Sequence, residues 1–222
     1  MLTHNFKNIL KLLKNSVEAV EITCIDTNNL CIEQEDEYHH ELKYKFNIKS
    51  DNSLTPNATY QVCLKQLLKH IKNSSKTETI YFTDDSNYFH IRLTDTLTST
   101  LSRFPLLYKQ KQLTVEIVSE DDCLLISTKT LNMVLKSIIN TSDFYIIVVS
   151  GSKISIENID AVIKSNITIS GLTDVILENK NNIISNTCIQ RISKIPVRLN
   201  IHINSTKLQW TVDDINTIIT IL

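Results

Sequence analysis

The chain repeats itself, and a repeat constrains an architecture before any other signal does. Residues 6–14 read FKNILKLLK and residues 64–72 read LKQLLKHIK. In both, positions 1, 4, 5 and 8 are apolar and positions 2, 6 and 9 are lysine. Apolar residues at that spacing line one side of a helix, so helices are predicted over 6–14 and 64–72. Short β-rich runs with turn residues between them follow each helix: 18–24, 28–34 and 38–48, then 77–84, 87–95 and 113–119. Asn28-Asn29 suits a tight hairpin, Asp84-Asp85-Ser86 makes a turn, and 96–112 reads as a looser stretch.

A second level of repetition appears on shifting by 125 residues. Phe6, Ile9, Leu10 and Leu13 fall on Leu131, Val134, Leu135 and Ile138, and Lys11 falls on Lys136. The run EAVEITC falls on DFYIIVV, and NNLCIEQ falls on KISIENI. A weaker fourth helix places Leu64, Leu67 and Lys69 on Ile189, Ile192 and Lys194, with Pro196 ending it. Closing strands are predicted over 197–203, 207–212 and 217–222. The expectation is four helix-plus-three-strand units, the last compressed by a few residues, paired into two similar domains. These span 1–119 and 125–222, with a short connector over 120–124.

Only two glycines exist, Gly151 and Gly171. A phosphate-cradling loop, a dinucleotide fingerprint and a nucleophile elbow all need clustered glycines, so these enzyme classes are excluded. His39-His40-Glu41 lacks the spacing of a helical zinc site. Asp84-Asp85, Asp121-Asp122 and Asp213-Asp214 each sit where a turn is expected, so they read as loop chemistry rather than metal ligands. His70 and His90 have no evident partner. No catalytic residue, metal or cofactor is expected. Five cysteines without a CxxC pair, and no secretory signal, read as reduced thiols in a protein that is not secreted. The longest apolar runs are too short to cross a bilayer. The acid-free N-terminus could pass for a transit peptide, but it lacks arginine and its pattern recurs inside the chain.

Charge is balanced overall, 23 basic residues against 24 acidic ones, so any electrostatic function must come from placement. The helices, read as 6–14, 64–72, 129–139 and 187–194, carry Lys7, Lys11, Lys14, Lys65, Lys69, Lys72, Lys129, Lys136, Arg191 and Lys194, and no acid at all. Lys7, Lys11 and Lys14 form one stripe beside the apolar one. Ordinary surface helices mix signs, because clustered lysines repel. Purely basic helices suggest a polyanion, and lysines on rigid helices can neutralise duplex phosphates without reading bases. Acids gather in 33–37, read as a turn, and in 120–122.

With these features the chain resembles a sliding clamp of the proliferating cell nuclear antigen type. The resemblance covers nearly the whole chain. It rests on element order, the two-level repeat, the basic helices, YQVCLKQLLKHIKNSSKTETIYFTDDSNYFHIRL around the second helix, and LISTKTLNMVLKSI at the entry to the second half. It implies an α+β clamp fold with helices on one face of curved antiparallel sheets, and a non-enzymatic processivity factor. The ten basic residues would then face duplex DNA without sequence preference. The resemblance also implies tethering of a DNA polymerase or other replication or repair protein. Subunits would join edge to edge, here 113–119 (Leu113, Val115, Ile117) against 162–169 (Val162, Lys164, Ile167, Ile169) of the next copy, giving a homotrimer. The setting would be the nucleus or a cytoplasmic viral replication site.

The sequence departs from that pattern in its short connector, which puts the family's partner-peptide groove in doubt, and in a first strand reduced to Met1–His4. Such departures resemble divergent clamps of large DNA viruses, some of them monomeric, or a subunit of a checkpoint-type hetero-oligomeric ring. A clamp-fold transcription or scaffold factor is an alternative. So is a membrane-surface protein, although here the apolar stripes are needed to cover a sheet.

Overall fold

A computed structural model of the chain describes all residues except 2, 38–41, 76, 86, 106–107, 111–122, 160–164, 172–176, 196–199, 205 and 214, and except the side chains of 108–110 and 177–180. The chain divides into two compact units. One comprises Met1–Tyr38, Tyr44–Glu116 and Thr211–Thr217; the other comprises His39–Lys43, Ile117–Trp210 and Ile218–Leu222.

The first unit opens with helix α1 (Thr3–Leu13). Strands β1 (Ala19–Asp26), β2 (Asn29–Glu35), β3 (Leu42–Lys49), β4 (Asn52–Ser53) and β5 (Ala58–Cys63) follow. Then come α2 (Leu64–Ile71), β6 (Thr79–Asp84), β7 (Tyr88–Thr94), β8 (Ser99–Pro105) and β9 (Tyr108–Gln110). The strands lie in the orders β3-β2-β1-β5-β9 and β4-β6-β7-β8. Turn chemistry sets the hairpins. The Asp26 carboxylate accepts from the Asn28 amide at 2.7 Å, closing the predicted turn before β2. Asp85 accepts from the amides of Asn87 and Tyr88 at 2.8 and 2.9 Å, closing the turn into β7.

Helix α1 is amphipathic, and Phe6, Ile9, Leu10 and Leu13 bury completely or nearly so. Phe6 meets Phe82 edge-on at 5.3 Å, Phe82 stacks with Phe89 at 5.9 Å, and Phe89 stacks with Tyr60 at 4.8 Å. This aromatic row pins α1 to the inner face of β6 and β7, and such pairs add to the burial of their large apolar area.

The second half runs β10 (Leu124–Ser127), α3 (Thr128–Ile138), β11 (Phe144–Gly151), β12 (Lys153–Asn158), β13 (Asn166–Ser170) and β14 (Leu177–Ser185). It continues with α4 (Asn186–Ile192), β15 (Asn200–Ile203), β16 (Lys207–Val212) and β17 (Ile215–Ile221). One sheet has the order β13-β12-β11-β14, and β10, β15, β16 and β17 follow one another in that order. Ser127 caps α3 by accepting from the Thr130 amide at 3.1 Å, and Ser185 caps α4 by accepting from the Cys188 amide at 3.3 Å.

Several expectations change. Met1–His4 is not a strand, because α1 already begins at Thr3. What survives of the pairing is two backbone bonds, Thr3 amide to Glu78 carbonyl at 2.8 Å and Ile80 amide to Met1 carbonyl at 3.0 Å. Within the stretch 96–112, expected to be loose, Ser99–Pro105 and Tyr108–Gln110 form β8 and β9. β14 was not expected at all; its Asn-rich sequence hides a strand that its pairing with β11 makes. Residues 33–35 belong to β2 rather than to a turn, and Asp36 is buried beneath the Tyr44 hydroxyl.

The register of the fourth unit also changes. Ala19 pairs with Cys63, and Phe144 pairs with Ser185. Ala19 and Phe144 correspond under the shift of 125, so Cys63, the residue before α2, corresponds to Ser185, the residue before α4. The fourth helix therefore corresponds at a shift of 122, and Lys69 and Lys72 fall on Arg191 and Lys194. The three-residue compression lies ahead of the helix.

Candidate nucleic-acid interface

No acidic residue occurs in α1, α2, α3 or α4. The apolar stripe of each helix is buried: Leu64, Leu67 and Ile71 in α2, Leu131, Leu135 and Ile138 in α3, Cys188, Ile189 and Ile192 in α4. The cations are turned away from those stripes. Lys11, Lys14, Lys65, Lys69, Lys72, Lys129, Lys136 and Lys194 are exposed, while Lys7 and Arg191 are half-buried. Lys14, Lys72 and Lys194, expected inside helices, stand in the turns that close α1, α2 and α4.

A helix carries partial negative charge at its C-terminus, so a cation there stabilises it locally. That accounts for Lys11, Lys14, Lys69, Lys72, Lys136, Arg191 and Lys194 without any ligand. It does not account for Lys65 and Lys129. Each is the second residue of its helix, at the end where the dipole favours acids. These two lysines cost the fold stability, and the four acid-free N-terminal turns leave that charge uncompensated. Lys129 and Lys136 flank Met133, which is 66% exposed.

Within the first unit, α1 packs beside α2, and the Lys7 ammonium donates to the carbonyl of Lys72 at the end of α2. Within the second, α3 packs beside α4, and an amide cluster joins them. Asn140 Oδ1 accepts from Asn186 Nδ2 and Gln190 Nε2, both at 3.0 Å, while Asn186 Oδ1 accepts from the Asn140 amide at 3.1 Å. Asn140 adopts a left-handed conformation, φ 65°, that asparagine tolerates. Sequence reasoning missed this cluster, because nothing local marks amides 46 residues apart as partners.

Of the expected subunit edges, Leu113, Val115, Ile117, Val162 and Lys164 lie outside the described residues. Ile167 and Ile169 lie in β13, which is the outermost strand of its sheet and pairs with β12 alone among the described residues. Ile169 is buried and Ile167 half-buried.

The rival sites have structural roles. Asp84 accepts from the Tyr60 hydroxyl at 2.7 Å and from Thr55 Oγ1 at 2.7 Å. Asp85 faces His90 at 2.7 Å, and its backbone bonds, then His90, hold its carboxyl below the usual value of 3.8. Asp213 accepts from Asn5 Nδ2 at 2.6 Å. Among the described residues no cluster of three His, Cys, Asp or Glu could hold a metal, and no helix is long and apolar enough to cross a membrane. His39, His40 and Glu41 lie outside the described residues, as do Asp121, Asp122 and Asp214.

No protein-family model matches the sequence, and no curated protein matches it. Solved structures do match the fold. The PCNA2-PCNA3 complex from Sulfolobus tokodaii aligns with a TM-score of 0.73 at 16% identity, over 99% of this chain and 95% of that one. PCNA from Thermococcus kodakaraensis aligns at 0.73 and 13% identity, over 99% and 96%. Proliferating cellular nuclear antigen from Entamoeba histolytica aligns at 0.75 and 12% identity, over 99% and 95%. The chain has a PCNA-like clamp fold, α+β with antiparallel sheets.

Proposed function

We propose that this chain is a sliding clamp, a non-enzymatic processivity factor that holds duplex DNA through its basic helices and tethers a DNA polymerase or repair enzyme to it. One observation carries the reading: the helices of a PCNA-like fold carry no acid, and they place Lys65 and Lys129 where helix stability alone would place acids. A phosphate backbone supplies the missing counter-charge. Contacts of this kind hold register and orientation without reading sequence, so the protein moves along the duplex.

The test is fluorescence anisotropy with two labelled duplexes of unrelated sequence across a salt series. Equal binding of both is expected, with log K falling linearly in log salt. Replacing Lys11, Lys65, Lys69 and Lys129 together by Ala lowers that slope by about 0.9 for each phosphate contact removed. Unchanged retention at low salt overturns the reading.

For assembly, the outermost position of β13 supports strand pairing with a second copy and a homotrimer of clamp subunits. The Sulfolobus tokodaii match is a complex of two distinct clamp chains, which supports a subunit of a mixed ring as the second reading. Light scattering over a concentration series separates them. A three-chain particle supports the homotrimer; a persistent monomer removes it and turns the search to a missing partner chain. The proposed setting is the nucleus or a cytoplasmic replication site.

A further inference from the structure

The sheet β4-β6-β7-β8 has two faces. Ile80, Phe82, Phe89, Ile91 and Leu93 turn inward and are buried, with Phe82 against Phe6 of α1. The alternate residues turn away from the helices, as the two-residue period of a strand requires. Across that outer face Tyr81 stands opposite Arg92, and Arg92 opposite Leu101. In the next row His90 stands opposite Arg103. Tyr81 and Leu101 are 43% and 44% exposed, and both arginines are exposed. A groove of about 380 Å³ runs here, lined by Tyr81, Thr83, Arg92, Thr94 and Ser99.

The charge on this face is one-sided. The acids at its margins are committed elsewhere: Asp84 to Tyr60 and Thr55, Asp85 to His90 and two amides, Asp95 to the amides of Leu97 and Thr98. Neither Arg92 nor Arg103 has an acidic partner among the described residues. The Thr94 hydroxyl lines the groove beside Arg92, is buried, and has no hydrogen-bond partner among the described residues. A buried unpaired hydroxyl costs stability unless something outside the chain satisfies it. Arginine and tyrosine beside an apolar residue is the composition enriched at the centre of protein interfaces.

We propose that the outer face of β6, β7 and β8 docks an acidic peptide segment of a partner protein, with one peptide carboxylate accepting from the Arg92 guanidinium and the Thr94 hydroxyl. Arg103 receives a second carboxylate, and Tyr81 and Leu101 flank the peptide's apolar stems. The site lies on the sheet face opposite α1, so α1 stays free while it is filled. The inference supplies a partner surface for the tethering proposed above. Its test reads peptide binding rather than duplex retention, so the two succeed or fail separately.

The probe is a fluorescein-labelled synthetic peptide of alternating glutamate and valine, titrated with the full chain at low salt. A lysine–valine peptide and a labelled oligothymidylate serve as comparisons. The glutamate peptide is expected to bind and the lysine peptide not to. Arg92→Ala with Arg103→Ala weakens binding by about tenfold or more, as loss of charge-assisted hydrogen bonds should. Thr94→Val weakens it by a smaller factor, and Lys65→Ala with Lys69→Ala leaves it unchanged. Both arginines are exposed, so circular dichroism of the double variant should match the parent. Three results overturn the proposal: no binding of the glutamate peptide, equal binding by the arginine variant, or tighter binding of oligothymidylate through the same two arginines.

Discussion

The ammonium of Lys7 donates to the backbone carbonyl of Lys72, so a side chain of α1 closes the C-terminal end of α2. In the second unit Asn132, which corresponds to Lys7 under the 125-residue shift, donates from Nδ2 to the carbonyl of Ile195 just past α4, at 3.4 Å. A cation in one unit and an amide in the other meet the same need. The last carbonyls of a helix have no partner within it, and a neighbouring helix supplies one.

Lys7 therefore has a structural task between the two helices of its unit. Lys7→Met should lower stability by about 1 kcal/mol, the usual net worth of one such bond. It should reduce DNA affinity less than Lys11→Met, because Lys11 is exposed and makes no such bond among the described residues. Urea unfolding and anisotropy on the same two proteins check both halves. An equal loss of DNA affinity would place Lys7 among the free cations.

Lys65→Glu and Lys129→Glu should move stability and binding in opposite directions. An acid in the first turn of a helix stabilises it by about 0.3–1 kcal/mol. Thermal midpoints should rise while duplex binding weakens. A lysine held there for the fold alone would show a fall in stability instead.

His70 gives the fold a pH dependence. Its Nδ1 meets the Ser102 hydroxyl at 2.7 Å, and its Nε2 is buried with no partner among the described residues. Burial lowers its pKa below the ordinary 6.5, with the charge of Glu78 opposing. The unfolded chain takes up a proton at 6.5 and the folded chain only at lower pH. The associated stability is complete above 6.5 and is lost as the pH falls from 6.5 toward the folded value. His70→Gln should flatten that part of the profile, read as thermal midpoints from pH 8 to pH 5. An unaltered slope would assign the effect to other groups.

The two glycines should respond differently to alanine. A Cβ on Gly171 would sit 2.7 Å from Leu124 Cβ and 3.2 Å from Leu124 Cα, against a side chain of the buried β10. Overpacking of that kind costs about 1–3 kcal/mol. Gly151 has open space but a φ of +59°, so Gly151→Ala meets only the left-handed backbone penalty, about 1–2 kcal/mol. Denaturant midpoints of the two variants rank them.

Much of the fold was legible because its signals are local. Apolar spacing located all four helices to within three residues at either end, and acid-free composition singled out their outer faces. β14 stayed hidden because LENKNNIIS carries little strand propensity; its hydrogen bonds to β11 make it a strand. The fourth helix was aligned three residues out, since weak apolar spacing fits more than one offset and only the pairing of Phe144 with Ser185 selects one.

The sequence alone determined the four amphipathic helices and the concentration of positive charge on them, because each depends on residues a few positions apart. Tertiary structure decided what those residues do. It turned Lys7 into a tie between helices, buried Asp36 within an acidic run, joined Asp84 to Tyr60 and Thr55, and left Arg92 and Arg103 facing outward without acidic partners among the described residues. The ties of Lys7 to Lys72 and of Asp84 to Tyr60 and Thr55 join segments distant in the chain, and the energy of such a contact exists only once folding has brought its two groups within bonding distance.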